Sequence, residues 1–217
     1  MEIAIPLFDR FTALDAVGPY QVLCALPDAR VRFLAAEEGP VRTDNGMLTV
    51  VAEGRYEDCP RPEVLVFPGG IGTRALLSDD RVLDWVRSVH ETSRYTTSVC
   101  TGSLVLAAAG LLDGVDATTH WLEMDTLASL GAHPDSARVV ERGRVITAAG
   151  VSSGIDMALR LAELIAGPLV AQAIQLGIEY DPQPPFDAGS PEKAPKELVD
   201  GLRAMIAADA GATASGS

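Results

Sequence analysis

Strand-like apolar runs alternate with helical stretches along most of this 217-residue chain. The clearest runs cover residues 2–8, 31–35, 63–67 and 95–99, and helical sequence follows three of the four. Runs that are apolar throughout, with helices between them, are typical of a parallel sheet covered on both faces. The alternation therefore predicts an α/β fold with a mostly parallel sheet between two helical layers.

The same pattern predicts one domain, because no segment resembles an interdomain linker. We place that domain over residues 1–208 and interpret the small residues of 209–217 as a disordered tail. Between two β-prone runs, Asn45-Gly46 predicts a hairpin with a type I′ turn. A helix predicted over residues 14–26 places Cys24 on its inner face.

Composition and charge exclude several classes of protein. Hydrophobic residues make up 47% of the chain and charged residues 22%, which excludes general disorder. Lysine and arginine number 17 against 30 aspartates and glutamates, and the net charge of −13 argues against nucleic-acid binding. No apolar run is long enough for a membrane span, and the N-terminus lacks the basic region of a signal peptide. A cytoplasmic protein without membrane association is expected.

Three cysteines, Cys24, Cys59 and Cys100, are present. Their number is odd and none of them forms a CxxC pair, so we interpret them as thiols and expect neither disulfides nor a metal site.

The segment around Cys100 carries the strongest chemical signal. A β-branched strand runs directly into this cysteine, a helix begins at once, and the flanking positions are small: Ser98 two before and Gly102 two after. This is the spacing of a nucleophile elbow, with cysteine in place of serine. A helix N-terminus also favours a thiolate, so Cys100 is expected to be the most reactive thiol. The alternative is a structural cysteine packed in the core.

A glycine-rich loop follows the strand of residues 63–67. Pro68-Gly69-Gly70-Ile71-Gly72 lets backbone N–H groups point into a cavity, as an oxyanion hole requires. We therefore take Gly70 and Ile71 as candidate substrate-binding residues. A tight structural turn explains the glycines equally well.

Asp15 is the third candidate, because it follows the first strand at the start of a helical stretch. Aspartate is a common helix N-cap, which needs no catalytic role. A second role becomes credible if the first and fifth predicted strands, residues 2–8 and 63–67, are neighbours. Asp15 would then face Cys100 across the crevice at the carboxyl end of the sheet.

Together, the segments LDAVGPYQVL, VFPGG and SVCTGSLVLAAAGLLDG, followed by ATTHW, resemble the ThiJ/PfpI superfamily. The resemblance covers roughly residues 2–180. It implies a flavodoxin-like three-layer sandwich, similar to glutamine amidotransferases, and a homodimer. Transcriptional regulators of this superfamily also carry a helix-turn-helix module, for which the residues after Tyr180 leave too little room.

Two positions favour one subgroup of that superfamily. The acidic residue that hydrogen-bonds the elbow cysteine is Glu in deglycase-like members and Asp in isonitrile hydratase-like members. Asp15, followed by Gly18-Pro19, resembles the second group. Protease-like members have His after the cysteine, whereas this chain has Thr101, as isonitrile hydratases do. His120 is left as a residue that either lines the pocket or serves the structure, and His90 and His133 are expected at the surface.

These features predict a cofactor-independent isonitrile hydratase, a carbon–oxygen lyase that converts an isonitrile to an N-substituted formamide. Cys100 would form a thioimidate, Asp15 would transfer protons, and the N–H groups of Gly70 and Thr101 would hold the developing charge. A glyoxalase or deglycase acting on methylglyoxal is the alternative within the fold. A non-catalytic cysteine that senses oxidants is the alternative that is not an enzyme.

Overall fold

The computed structural model describes the backbone of residues 1–214 and the side chains of residues 1–205. The chain divides into two compact units, Met1–Glu179 and a second unit that begins at Tyr180. None of the helices in this described part of the chain is both long and apolar enough to cross a membrane.

The strands of the first unit follow the alternation expected from the sequence. They are β1 (Glu2–Pro6), β2 (Arg30–Ala35), β3 (Gly39–Arg42), β4 (Thr49–Ala52), β5 (Gly54–Arg55), β6 (Val64–Phe67), β7 (Tyr95–Val99), β8 (Asp116–Ala117), β9 (His133–Pro134), β10 (Val139–Arg142) and β11 (Val145–Ala148).

Seven of these strands form the main sheet, in the order β10-β11-β7-β6-β1-β2-β5. Every neighbouring pair is parallel except β10 and β11. The mostly parallel sheet is therefore confirmed. Because β1 pairs with β6, the first and fifth predicted strands are neighbours, and β6 lies between β1 and β7.

The helices are α1 (Ala13–Leu23), α2 (Thr73–Leu76), α3 (Asp80–Thr92), α4 (Gly102–Ala108), α5 (Met124–Ser129), α6 (Ser153–Ala166), α7 (Pro168–Gly177) and α8 (Lys196–Ala214). Two short 3₁₀ turns, Tyr56–Asp58 and Trp121–Glu123, complete the regular elements.

Burial explains why the central strands are apolar throughout. All four residues of β6 and the three central residues of β1 are fully buried, because side chains on both faces of the sheet meet helices. On one face, α1 and α6 approach closely at two glycines. A side chain on Gly18 would meet Ile155, and one on Gly154 would press on Val99. Small residues there bring the start of α6 close to the end of β7.

The β3–β4 hairpin is confirmed, but its turn is not the predicted two-residue type I′ turn. The last paired residues are Arg42 and Thr49, so six residues form the loop. Only Gly46 among them has a positive φ, at +69°. The Asn45 side chain accepts a hydrogen bond from the Met47 N–H (2.9 Å) and stabilises this wider loop.

In the second unit, α8 begins at Lys196. Its backbone extends through residues 209–214, which the sequence analysis assigned to a tail, and residues 215–217 lie outside the described residues. The single domain over residues 1–208 stays a prediction.

Candidate active site

Cys100 lies on the sharp turn between β7 and α4. Its φ is +55°, a left-handed conformation that is uncommon for a residue with a side chain. The turn is held by the Cys100 N–H, which donates to the carbonyl oxygens of Ala148 (3.1 Å) and Ala149 (2.9 Å) at the end of β11. The side chain is only 5% exposed.

Glycine is required at position 102 because α4 starts against the end of β6. A Cβ atom there would lie 2.2 Å from the carbonyl oxygen of Phe67. Ser98, on the other side of the turn, is fully buried within β7. The small residues that flank Cys100 in the sequence therefore allow the turn to pack tightly against the neighbouring strands.

Asp15 lies in the first turn of α1 and is fully buried. Its Oδ2 accepts a hydrogen bond from the Gly69 N–H (3.0 Å), and Oδ1 has no hydrogen-bond partner among the described residues. Thr12, not Asp15, is the N-cap of α1. The helix-capping interpretation of Asp15 is therefore wrong, because its carboxyl binds a different loop.

Gly69 explains how Asp15 reaches Cys100 although β6 separates β1 from β7. A Cβ atom on Gly69 would lie 2.5 Å from the Thr101 nitrogen and 2.8 Å from Asp15 Oδ2. The loop after β6 thus contacts both the start of α1 and the start of α4. Only glycine leaves room for them to meet.

The pKa of Asp15 is raised from its ordinary 3.8 to about 7. Burial is the largest cause, since the carboxylate loses its hydration. The Gly69 N–H and the side chain of Cys100 act in the opposite direction, and the negative charge of Asp44 raises the pKa further. Asp15 can therefore hold or release a proton near neutral pH.

The pKa of Cys100 is also raised, first by burial and then by the negative charge of Asp15. Backbone N–H groups of Val151 and Thr101 favour the thiolate but are outweighed. The N–H group at the start of α4 thus acts on this thiol in the expected direction, but burial beside a carboxyl outweighs it. The pair resists full ionisation and holds one proton between its two groups over a broad pH range.

Thr101 connects the elbow to the glycine loop. Its Oγ1 accepts a hydrogen bond from the Gly70 N–H (2.9 Å) and lies 3.1 Å from the Thr73 hydroxyl. The Gly70 N–H is therefore engaged by Thr101, which does not agree with its expected role as an oxyanion donor. Ile71, the next residue, is 37% exposed.

His120 lies beside the elbow without making a hydrogen bond to it. The preceding residue, Thr119, donates its hydroxyl to the Cys100 carbonyl (3.0 Å). The imidazole lies so close to Gly150 that a Cβ there would be 2.8 Å from its Cδ2 atom. Burial lowers the pKa of His120, so its neutral form is favoured.

The other two histidines lie away from Cys100. His133 is exposed, as expected. His90 is half-buried, with Nδ1 2.8 Å from the Thr96 hydroxyl, so it lies only partly at the surface.

The structure adds two residues that the sequence reasoning missed. Val151 places its N–H near the Cys100 sulfur from a loop with φ of +33°, and Asp44 acts on Asp15 from the hairpin loop. A valine in a left-handed conformation has no sequence signature. Asp44 directly precedes the turn signal Asn45-Gly46, so the sequence suggests only an ordinary loop residue.

The remaining thiols differ from Cys100. Cys24 is exposed at the C-terminal end of α1, which corrects its expected place on an inner face. Cys59 is buried next to Arg32 and Glu2. Among the residues whose side chains are described, no three His, Cys, Asp or Glu side chains converge in a way that could hold a metal ion.

The fold and this elbow define a known class of α/β protein. Residues 1–164 match the DJ-1/PfpI family, and the chain belongs to that family.

Two proteins are similar to this chain over nearly its whole length, and a third shares its fold. The isonitrile hydratase of Pseudomonas putida is 46% identical over 207 residues, which are 95% of this chain and 90% of that protein. The crystal structure of a ThiJ/PfpI family protein from Pseudomonas syringae superposes with a TM-score of 0.91 at 39% identity and covers 95% of this chain and 86% of that one. DJ-1beta of Drosophila melanogaster shares the fold, with a TM-score of 0.75 at 21% identity over 82% of this chain and 97% of that one.

Proposed function

We propose that the protein hydrates isonitriles to N-substituted formamides through a thioimidate on Cys100. The observation that carries the proposal is the buried pair of Cys100 and Asp15, in which a carboxyl with a pKa of about 7 faces a thiol on a strained turn. The 46% identity to an isonitrile hydratase supports the same substrate class.

The burial of the pair favours a slender, uncharged substrate. Asp15 is fully buried and Cys100 nearly so, and a charged substrate would lose its hydration on approaching them. The terminal carbon of an isonitrile is uncharged, carries no substituent, and is electrophilic toward a soft nucleophile. Such a carbon is slender enough to approach Cys100, a residue that is 5% exposed.

The first step forms the carbon–sulfur bond. As the sulfur of Cys100 attacks the terminal isonitrile carbon, Asp15 takes the one proton that the pair shares and passes it to that same carbon, which yields the thioimidate R–N=CH–S–Cys. The N–H groups of Thr101 and Val151 favour the negative charge that forms on the sulfur during this transfer.

The second step consumes water. Asp15, now a carboxylate, removes a proton from a water molecule whose oxygen adds to the thioimidate carbon, and it passes this proton to the nitrogen. Cleavage of the carbon–sulfur bond then releases the formamide R–NH–CHO and the Cys100 thiolate, while the hydroxyl of the intermediate gives its proton to Asp15. Asp15 ends the cycle with its proton restored, so no cofactor is required by the balance of atoms.

Thr101 and Gly70 act in this scheme by positioning. The Thr101 hydroxyl holds the Gly70 backbone, and the same loop supplies the Gly69 N–H that fixes Asp15. Loss of the Thr101 hydroxyl is expected to release that loop. The role of Ile71 is to line the approach, because its side chain is exposed on the same turn.

The test is product analysis with a small alkyl isonitrile, combined with intact-mass spectrometry of the protein. Formamide release and a single adduct on Cys100, absent in Cys100→Ala and present in Cys59→Ala, are expected. An isonitrile that is neither consumed nor bound would overturn the proposal.

A glyoxalase acting on methylglyoxal is the second candidate, favoured by one observation. His120 lies near the elbow and is kept neutral by its partial burial, so it could serve as a base between two carbon atoms. Lactate formation exceeding formamide formation, and lost in His120→Ala, would support this alternative. A redox sensor is the third, and sulfenate formation on Cys100 without either activity would support it.

We also propose that the protein is a cytoplasmic homodimer that binds no nucleic acid. Family resemblance supports the dimer, and the β3–β4 hairpin offers exposed apolar side chains, of which Met47 is 90% exposed. Light scattering at several concentrations tests the oligomeric state. The net charge of −13 supports the absence of nucleic-acid binding.

A further inference from the structure

The start of α1 has the spacing of a capping box that the structure does not use. In such a box, Thr12 and Asp15 would each bind the other's backbone N–H. Instead, the Thr12 N–H donates to the Gly69 carbonyl (2.8 Å), and the Gly69 N–H donates to Asp15 Oδ2 (3.0 Å). The Thr12 hydroxyl makes no hydrogen bond to the helix and is available to another partner.

That partner is Asp44, in the loop between β3 and β4. The Thr12 hydroxyl donates to Asp44 Oδ2 (2.8 Å), and the Asn45 N–H donates to Asp44 Oδ1 (2.8 Å). The Asp44 N–H in turn donates to the carbonyl of Phe11 (2.9 Å). Asp44 is therefore held by two hydrogen bonds to Phe11 and Thr12, directly before α1, and by a third to its neighbour Asn45.

We propose that Asp44 is a positioning residue for the chemistry of Asp15 and Cys100, acting through Thr12. The inference rests on the proposed function. The hydrogen bond between Thr12 and Asp44 holds Thr12 in place. Thr12 and Gly69 together set the position of the Asp15 carboxyl. The charge of Asp44 opposes ionisation of Asp15 and so keeps on it the proton that the first step consumes.

The electrostatic surroundings of Asp15 support this assignment. Burial is the largest cause of the raised pKa of Asp15, the hydrogen bonds of Gly69 and Cys100 oppose it, and the charge of Asp44 adds a smaller increase. Cys100 faces Asp15 from the elbow, and α6 faces α1 with Gly154 and Ile155, which carry no charge.

The loop after β6 contributes backbone and no ionisable side chain. On the hairpin side, Arg10 and Arg42 are exposed to solvent. Asp44 is thus the carboxylate that acts on Asp15 from outside the reacting pair.

Four variants separate the charge of Asp44 from its hydrogen bond. Asp44→Asn removes the charge and keeps an acceptor for Thr12, whereas Asp44→Ala removes both. Thr12→Val removes the hydrogen bond and keeps the charge, and Thr12→Ser restores the hydroxyl. Asp84→Asn, on the exposed side of α3, is the control for the same loss of charge.

Two readouts are needed. The titration of Asp15 is followed by the infrared band of its protonated carboxyl, assigned by the loss of that band in Asp15→Asn. The pH dependence of kcat/KM for isonitrile hydration is measured in parallel. The infrared titration needs no substrate, so it decides the role of Asp44 even if the proposed reaction is not observed.

In Asp44→Asn we expect Asp15 to titrate at lower pH and kcat/KM to fall about threefold on the alkaline side, since less of the donor is protonated. Asp44→Ala should show the same shift and a kcat about tenfold lower at every pH, because the carboxyl is also displaced. Thr12→Val should lower kcat, with Thr12→Ser restoring it. The inference would be overturned if Asp44→Asn and Asp44→Ala gave the same Asp15 titration and the same pH profile of kcat/KM as the control Asp84→Asn. If Asp44→Ala does not fold, Asp44→Asn and Thr12→Val give the same decision.

Discussion

The surroundings of the two buried cysteines, Cys59 and Cys100, differ in what neutralises the nearby carboxyl. Cys59 is 1% exposed, and burial raises its pKa to about 11. Its acidic neighbour Glu2 is paired with Arg32 (3.4 Å), and the backbone of Cys59 has an ordinary negative φ. Burial is thus shared by both thiols.

Among the residues whose side chains are described, no cation balances the acidic neighbour of Cys100. Asp15 accepts a backbone N–H from Gly69, has one oxygen without a hydrogen-bond partner among the described residues, and shares a buried region with the sulfur. Backbone N–H groups take the place that Arg32 holds at Cys59. The difference teaches that burial alone makes an inert thiol, whereas burial beside an unbalanced carboxyl makes a proton-sharing pair.

The largest effect is expected from exchanging the two thiols for hydroxyls. Cys100→Ser should lower the rate of isonitrile hydration by ~1,000-fold or more, because a serine hydroxyl is much less acidic than a thiol and is a weaker nucleophile. Cys59→Ser should keep kcat/KM near that of the wild type and lower only the thermal midpoint. Equal losses of activity in both variants would break the comparison.

Replacement of Asp15 should have the next largest effect. Asp15→Asn should abolish turnover, since an amide cannot donate and recover the proton. Asp15→Glu should lower kcat by ~100-fold, because the added methylene displaces the carboxyl. Steady-state kinetics with Glu2→Gln as the control at Cys59 measure both. Wild-type rates in both Asp15 variants would assign proton transfer to another group.

A smaller effect is expected on stability, and it depends on pH. The folded pKa of Asp15, about 7, exceeds its ordinary 3.8, so the folded state binds the extra proton between these values and loses stability as pH rises. Asp15→Asn should therefore stabilise the protein by on the order of 2 kcal/mol at pH 8 and hardly at all at pH 4. Urea denaturation at the two pH values measures this difference. If Asp15→Asn stabilised the protein equally at both pH values, the effect would come from packing and not from the ionisation of Asp15.

The smallest effect concerns which thiol reacts first. The sequence led us to expect Cys100 to be the most reactive thiol, but Cys24 is exposed while Cys59 and Cys100 are buried with raised pKa values. Iodoacetamide should therefore modify Cys24 faster by about tenfold or more. A small isonitrile should instead modify Cys100 alone. Peptide mapping after limited labelling tests both expectations, with Cys24→Ser removing the fast phase. An isonitrile adduct on Cys59 would show that burial near any acid is sufficient.

Local sequence was enough for the framework of the site. The β-branched strand of residues 95–99, the cysteine and the small residues around it determine the turn between β7 and α4, because their effects act within a few residues. The continuous apolar runs likewise determine a parallel sheet with two covered faces. The class of fold and the choice of Cys100 followed from these local patterns, whereas Asp15 was singled out by the resemblance of its context, with Gly18-Pro19, to isonitrile hydratase-like members of the superfamily.

Tertiary structure decided what these groups do to one another. The sequence predicted a thiolate stabilised by a helix, yet the pKa of Cys100 is raised, because burial and the charge of Asp15 depend on residues distant along the chain. Gly70 turned out to bind Thr101, while Val151 and Asp44 joined the site from a loop and a hairpin. Desolvation and Coulomb interactions depend on distance in space, and only the folded chain sets that distance.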